Sequence, residues 1–152
     1  MGMMSTREII RMANALGIEI DYSTMRFWQK RGLIPKPVRG PVRYGRGSRG
    51  YYDTAVIERL GFIREIQKTY SLGLNTIREE LDRIDRRNAE SGSADKSKPF
   101  RERLEELQQE HEAETKQTIL AIVARAMGVA PNDIASVMIR KKDGQTVRFL
   151  TE

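Results

Sequence analysis

Residues 22–35 read YSTMRFWQKRGLIP, a stretch that begins with helix-forming residues and ends in a glycine and a proline. Asp21, just before it, can cap a helix by accepting a backbone hydrogen bond from the first turn. Met25 and Trp28 are three residues apart, so a helix places both on one apolar side. Gly32 then ends the pattern, as glycine often does after a helix. We therefore predict a short helix that stops just before this glycine.

The same helix has a second, polar face. Ser23, Arg26, Phe27 and Lys30 follow the spacing i, i+3, i+4 and i+7, which groups them away from Met25. A helix with one apolar and one cationic side buries the first and exposes the second. We expect the cationic side to meet a partner.

Positive charge is concentrated around this helix. The chain has a net charge of +6, and the stretch from Tyr22 to Tyr52 carries eight basic residues and no acidic residue. The eight are Arg26, Lys30, Arg31, Lys36, Arg39, Arg43, Arg46 and Arg49. Like charges at this density repel one another unless an anion lies against them. We favour a nucleic-acid surface over the alternative, an incidental basic loop.

Upstream, a first helix is indicated by a capping box. Ser5 is followed three residues later by Glu8, the spacing at which the two side chains cap each other's backbone. Apolar residues then recur at helical spacing until Gly17, namely Ile9, Met12, Ala13 and Leu16. Two short helices in succession predict a helix-turn-helix.

Downstream, prolines and glycines exclude a continued helix. Pro35, Pro37 and Pro41 cannot lie in a helix interior, and four glycines follow between residues 40 and 50. Val42–Tyr44 and Gly50–Tyr52 can pair as two short strands around the loop of residues 45–49. We predict a small β-wing with arginines at its tip.

Two further helices complete this part of the chain. Asp53 or Thr54 can cap a third helix that runs toward Tyr70, and Leu74 opens a fourth. The predicted core stripe of the third helix is Val56, Ile57, Leu60, Ile63 and Ile66, and that of the fourth is Leu74, Ile77, Leu81 and Ile84.

The chain beyond residue 87 is predicted to have three parts. Residues 88–99 are polar, lack a hydrophobic period and read as a flexible linker. Residues 100–128 form a long helix whose stripe needs a partner, because a single amphipathic helix is rarely stable alone in water. We predict that it forms a homodimer through Leu104, Leu107, His111, Ile119 and Ile122.

Residues 129–152 are predicted to form a C-terminal β-hairpin. Apolar residues alternate on both sides of Asp143-Gly144, a two-residue hairpin signal. The apolar side of the hairpin can pack on a crowded cluster in the preceding helix, namely Ile119, Leu120, Ile122 and Val123.

Composition and motifs argue against several other classes of protein. The chain has no cysteine and one histidine, His111, so no thiolate zinc site or disulfide is possible and no metal or cofactor is expected. Neither a membrane-spanning stretch nor a signal peptide is visible, which makes the cytoplasm, with the nucleoid, the expected location. We also see no nucleophile arrangement or phosphate-binding loop, and we do not expect an enzyme.

The stretch from Tyr22 to Pro35 resembles the recognition-helix signature of the MerR family of transcription regulators. That signature runs threonine, leucine, arginine, tyrosine, tyrosine, glutamate, then glycine and leucine. The matching residues here are Thr24, Met25, Arg26, Phe27, Trp28, Gln29, Gly32 and Leu33. Further similar segments are Tyr51-Tyr52-Asp53, Glu58-Arg59-Leu60, Phe62-Ile63 and Leu72-Gly73-Leu74, so the resemblance covers residues 5–87.

The resemblance implies a mainly α fold with a four-helix winged helix-turn-helix domain over residues 1–87. Helix 22–31 would read the major groove and wing 42–52 the adjacent backbone or minor groove. The DNA-binding residues it implies, taken with the faces above, are Tyr22, Ser23, Thr24, Arg26, Phe27, Lys30, Arg43, Tyr44, Arg46, Arg49 and Tyr51. A two-fold dimer would bind a pseudo-palindromic promoter and act on RNA polymerase.

The chain also departs from the family pattern. Phe27-Trp28 replaces a tyrosine pair, so position 27 has no hydroxyl to offer a phosphate. Cysteines near the dimer helix and a large C-terminal domain, which serve metal and drug sensing in the family, are both missing. The activating signal therefore does not transfer.

Two other functions fit the same residues. An excisionase-like or nucleoid-shaping architectural protein would use the same winged helix without regulating a promoter. From a different class, an interaction adaptor would dock a protein through the long helix and hairpin and keep the basic patch as soluble surface.

Overall fold

The computed structural model describes residues 2–42, 47–92 and 94–150. Over these residues the chain is mainly helical, with five α-helices and two small antiparallel sheets. It divides into two compact units, the first ending at Leu104 and the second beginning at Glu105.

The first unit combines helices with a small sheet. Its elements are β1 (Met3–Ser5), α1 (Thr6–Ala15), α2 (Tyr22–Lys30), β2 (Val38–Pro41), β3 (Ser48–Asp53), α3 (Val56–Tyr70), α4 (Leu74–Ser91) and the start of α5 (Lys98–Met127).

Helices α1 and α2 form the predicted helix-turn-helix. The capping box is present: the Glu8 N–H donates to Ser5 Oγ at 3.3 Å, and the Ser5 N–H donates to Glu8 Oε2 at 2.8 Å. Gly17 has a φ of 83°, a left-handed conformation that suits glycine and turns the chain after α1. The Asn14 side-chain amide donates to the carbonyl of Ile20 at 2.9 Å and holds the turn closed.

Of the four apolar residues at helical spacing, two are buried and two are exposed. Ile9 and Ala13 are fully buried, whereas Met12 is 39% and Leu16 67% exposed. Met12 lies at the edge of the buried face, and Leu16 caps the helix beyond its last residue. Spacing alone does not show where a short helix leaves the core.

The sheet has the order β1-β3-β2, with β3 between two antiparallel neighbours. β3 contains the predicted strand Gly50–Tyr52. Its predicted pairing is wrong, because Gly50 and Tyr51 pair with Arg39 and Val38 of β2. Of the predicted partner strand Val42–Tyr44, Arg43 and Tyr44 lie outside the described residues. β2 is an edge strand, and an edge tolerates proline because the missing N–H would face solvent. β1 was not predicted, since three residues carry too little pattern.

Helices α3 and α4 supply most of the core. All five predicted core residues of α3 are buried, and Phe62 joins them; in α4 three of the four are buried and Leu74 is half-buried. The predicted cap of α3 by Asp53 or Thr54 is wrong, because the N-cap is Ala55 and the helix begins at Val56. Asp53 Oδ1 instead accepts the Ala55 N–H at 2.9 Å and shapes the turn.

The connection to α5 is shorter than the sequence predicts. α4 continues to Ser91 rather than ending at residue 87, and α5 starts at Lys98. Arg103 on α5 is buried and makes a two-pronged ion pair with buried Glu80 on α4, at 2.6 and 3.0 Å. The first turns of α5 therefore belong to the first unit.

The second unit contains the rest of α5, a 3-10 turn (Pro131–Asp133) and the antiparallel strands β4 (Ser136–Arg140) and β5 (Thr146–Leu150). Its small core is built on buried Ala124, Ile134 and Val137, against which Ile119, Leu120, Val123, Ile139 and Phe149 pack. The expected contribution of Ile122 to this packing is wrong. Ile122 is 63% exposed because it lies on a different side of α5.

Candidate nucleic-acid interface

The two sides of α2 differ as its sequence predicts. Met25 and Trp28 are almost fully buried, and they fix the helix in the first unit. Ser23, Arg26 and Lys30 are exposed on the other side. Phe27, at 44% exposure, shares that side, and the guanidinium of Arg31 lies over its ring at 5.4 Å. The cationic face of the helix is thus exposed and accessible to a ligand.

The N-terminus of α2 is fixed by Asp21. Its Oδ1 accepts the backbone N–H of Thr24 at 2.7 Å, the hydrogen bond of an N-cap. Hydrogen bonds from the Thr24 backbone and then its side chain hold the pKa of Asp21 below the ordinary 3.8. The carboxylate therefore stays ionised and keeps Tyr22 and Ser23 in place at the first turn.

Two arginines of α3 hold the turns at either end of α2. Arg64 donates through Nε to the carbonyl of Glu19 at 2.8 Å, and its guanidinium lies 4.9 Å from the ring centroid of Trp28. Arg59 donates through Nε to the carbonyl of Leu33 and pairs with Asp85 through Nη1 and Nη2. These two arginines of α3 therefore hold α2 in position at both of its ends.

The wing brings more cations beside α2. Arg39 on β2 and Arg49 on β3 are exposed, and Arg49 pairs in register with Gly40. The hydroxyl of Tyr51 donates to the carbonyl of Pro41 at 2.7 Å and ties the two strands together. Three predicted residues of the wing, namely Arg43, Tyr44 and Arg46, lie outside the described residues.

A concave surface lies between α2 and the wing. One cavity of about 400 Å³ is lined by Thr6, Tyr22, Met25, Arg26, Gln29, Lys30, Pro37, Arg39, Gly50 and Tyr52. A second, of about 510 Å³, is lined by Thr6, Arg7, Ile10, Tyr22, Arg39, Ser48, Arg49 and Gly50. Every residue in the two linings is neutral or cationic. We call this surface the basic groove.

Gly50 allows the close approach that forms the groove. A Cβ placed on Gly50 would lie 2.9 Å from the Cβ of Pro37 and 3.1 Å from its Cγ. Contacts that short are not tolerated, so a larger residue would push the wing away.

Sequence reasoning missed several residues of the groove. Arg39 was counted among the basic residues but left out of the predicted site, because the strand was placed after it. Arg7 and Thr6 lie in the first turn of α1, and the pairing of β1 with β3 brings that turn to the wing. No local pattern in the sequence signals this pairing.

Burial distinguishes the two tyrosines at the end of β3. Tyr52 is 4% exposed, and burial, with a smaller contribution from nearby Tyr22, raises its pKa above the ordinary 10.0. Tyr51 is half-buried and its hydroxyl already serves the wing. Tyr52 thus packs beneath the groove, and Tyr51 links the two strands of the wing through its hydroxyl.

The residues predicted for dimerisation are not equivalent. Leu104 and Leu107 are half-buried, and His111 and Ile122 are exposed. Ile119 packs against the core of the second unit. Leu104 is the last residue of the first unit. The other four residues lie on the part of α5 that belongs to the second unit.

Two other kinds of site are not found among the described residues. None of their helices is both long and apolar enough to cross a membrane. No three histidine or carboxylate side chains come together as metal ligands in the same part of the chain.

One of three comparisons with known proteins gives a match. The family model described as MerR HTH family regulatory protein matches residues 8–84, which run from within α1 through α2, the wing and α3 into α4. No curated protein and no solved structure is similar enough to match.

Proposed function

Because the chain belongs to the MerR family of helix-turn-helix regulatory proteins, which regulate transcription by binding DNA, we propose that it recognises a specific promoter sequence as a homodimer. The observation that carries the proposal is the basic groove: α2 and the wing enclose a concave surface lined by Arg26, Lys30 and Arg39 and by no acidic residue. DNA phosphates are the ligand that such a surface attracts most strongly.

Helix α2 is the element that reads the bases. A helix fits the major groove of B-form DNA, and an arginine can donate two hydrogen bonds to guanine there. Arg26 lies at the centre of the exposed side, between Ser23 and Lys30. Thr24 is half-buried, and both its N–H and its side chain hydrogen-bond Asp21, so it contributes little to base contacts.

The wing supplies backbone contacts. Arg39 and Arg49 have the charge and exposure to bind phosphates on either side of the helix, or to enter a narrow minor groove. Arg43, Tyr44 and Arg46 belong to the same proposal on the strength of the sequence alone. Arg7, at the first turn of α1, extends the phosphate-binding surface.

Dimerisation would use the stripe of α5 that the chain's own fold leaves uncovered. Ile122 is 63% exposed although it is large and apolar, and Leu107 and His111 fall on the same side of an ideal helix. Ile119 has a partner already in the second unit, so we assign it to that core. A two-fold dimer presents two copies of α2 and calls for a pseudo-palindromic site near RNA polymerase.

Selection of bound fragments from genomic DNA, followed by footprinting, tests the proposal. We expect protection confined to promoters, in two half-sites related by two-fold symmetry. An architectural protein would instead protect continuous stretches of DNA without a common sequence. An interaction adaptor would bind no duplex at moderate salt, and either result would overturn the proposal.

A further inference from the structure

The C-terminal hairpin has one covered face and one open face. The covered face carries Val137, Ile139 and Phe149, which pack in the small core of the second unit. Met138, Arg140 and Arg148 are exposed on the other, with Met138 and Arg148 directly paired across the strands. We call this second face, together with the turn, the outer surface of the hairpin.

The outer surface is strongly basic. Arg140, Lys141, Lys142 and Arg148 are all exposed. Of the residues that the structure describes, none forms a carboxylate ion pair with these four. The acidic residue of the hairpin, Asp143, accepts the Gln145 N–H at 2.9 Å and shapes the turn.

We propose that the outer surface of the hairpin is a second binding site for the phosphate backbone of duplex DNA, separate from the basic groove. The proposal rests on the proposed function, since it assumes that the chain works on DNA. It assigns a task to the second unit, which lies beyond the residues that the family match covers.

The shape of the hairpin supports duplex DNA over single strands. A two-stranded β-ribbon fits the major groove of B-form DNA, and arginine and lysine side chains on its open face can reach the phosphates beside it. Proteins that hold single strands stack bases on aromatic residues. The exposed side chains that the structure describes on this face include no aromatic residue.

The composition of the face supports DNA over an acidic protein. Protein interfaces usually bury a centre of aromatic or large apolar residues that carry most of the binding energy. Among the side chains that the structure describes, the open face and the turn offer one such residue, Met138, together with two arginines and two lysines. A polyanion needs no apolar anchor, because release of its counterions drives binding.

The test measures binding of the full chain to two labelled duplexes of equal length over a series of salt concentrations. One duplex contains a site found by footprinting, and the other has the same bases scrambled. Two variants change the outer surface, Arg140→Gln with Arg148→Gln, and Lys141→Gln with Lys142→Gln. A matched control removes two exposed positive charges elsewhere, by Lys68→Gln with Lys96→Gln.

We expect each hairpin variant to bind both duplexes more weakly by the same factor, about 10-fold at low salt when two phosphates are no longer neutralised. The slope of log K against log salt should fall by about 1 for each of these phosphates. The preference for the specific duplex should not change. The control should stay close to the wild type, and circular dichroism should show the same helix content in all proteins.

Three results would overturn the inference. If the hairpin variants bind like the control, the outer surface does not touch DNA, although a wild type that prefers its site leaves the proposed function intact. If they instead change the dimer dissociation constant at unchanged DNA binding, the surface belongs to a protein interface. If the wild type binds neither duplex, the proposed function and this inference both fail.

Discussion

Tyr52 combines packing and ionisation in a single side chain. It lies at the inner wall of the basic groove, next to the base of α2, and is 4% exposed. Burial raises the pKa of its phenol, so the neutral form is favoured in the folded protein. A buried, neutral phenol therefore lies beneath the exposed basic side chains of the groove.

The raised pKa of Tyr52 predicts an alkaline weakness. A native state that holds the phenolic proton more tightly than the unfolded chain is stabilised fully below the ordinary pKa of 10.0. That contribution declines above this pH and is lost as the pH rises through the folded value. Urea unfolding at increasing pH should show the decline in the wild type and a smaller one in Tyr52→Phe. Equal curves for the two proteins would refute this.

Single residues were predicted well where one side of a helix faces a large core. Met25 and Trp28 were expected to be buried and are, because the packing of α2 follows its period. Met12 and Leu16 have the same pattern and are exposed, since Met12 lies at the edge of the buried face and Leu16 lies beyond the last residue of α1. Glu80 and Arg103 could not be predicted as buried, because the sequence does not show that each has the other as a partner.

At the scale of elements, the wing depends on a close approach between β3 and Pro37, the residue just before β2. Gly50→Ala would place a methyl group 2.9 Å from the Cβ of Pro37, so Pro37 must move. We expect DNA affinity to fall and the folded state to be destabilised by about 1–3 kcal/mol, the usual cost of overpacking. Fluorescence anisotropy and urea unfolding measure the two effects.

Gly73→Ala is the matched control, because nothing lies within 4 Å of its added Cβ and its φ of −71° suits alanine. It should leave DNA binding as it is. Equal affinity of the two variants would show that the spacing of the wing does not matter.

The ion pair between α4 and α5 makes a second prediction for elements. Glu80→Gln removes the buried carboxylate that makes the two-pronged pair with Arg103, which should cost about 3–5 kcal/mol of unfolding free energy. Replacing both together, by Glu80→Leu with Arg103→Met, should recover most of that loss, since no charge is then left buried. Chemical denaturation measures both variants. A loss below about 1 kcal/mol for the single change, which is typical of exposed pairs, would place the pair in solvent.

Elements were predicted better by type than by position. Helices α1 to α4 are where their hydrophobic stripes place them, and α1 and α2 also begin at their predicted caps, because those signals are local. The first strand of the wing was placed four residues too late, since prolines hid an edge strand whose position depends on pairing with β3. The pairing of β1 with β3 brings Arg7 to the groove, and no pattern near Arg7 in the sequence predicts it.

At the scale of the whole molecule, the uncovered stripe of α5 predicts self-association. Ile122 is 63% exposed, so Ile122→Asp removes little from the core of the chain itself and should fold normally. In a dimer it would bury a charge, and we expect dissociation into monomers and weaker DNA binding. Sedimentation equilibrium measures this, with Gln117→Asp, also exposed on α5, as the control. An Ile122→Asp protein that stays dimeric would rule out this stripe as the interface.

The division of the chain was the hardest feature to predict from sequence. The polar stretch after α4 was expected to separate two parts at residues 88–99, whereas the compact units meet within α5 after Leu104. Polar composition does not reveal that Phe100 packs on Phe62, at 5.5 Å between ring centroids, or that Arg103 is buried. Tertiary packing decides where a unit ends.

The central claim is that the basic groove binds duplex DNA, and the salt dependence of affinity tests it most directly. Arg26→Ala with Lys30→Ala should weaken binding to a footprinted site by at least about 10-fold and reduce the salt slope by about 1–2. Lys68→Ala with Lys96→Ala, which removes the same charge outside the groove, should change neither by much. Two variants with the same affinity and the same slope would contradict the account.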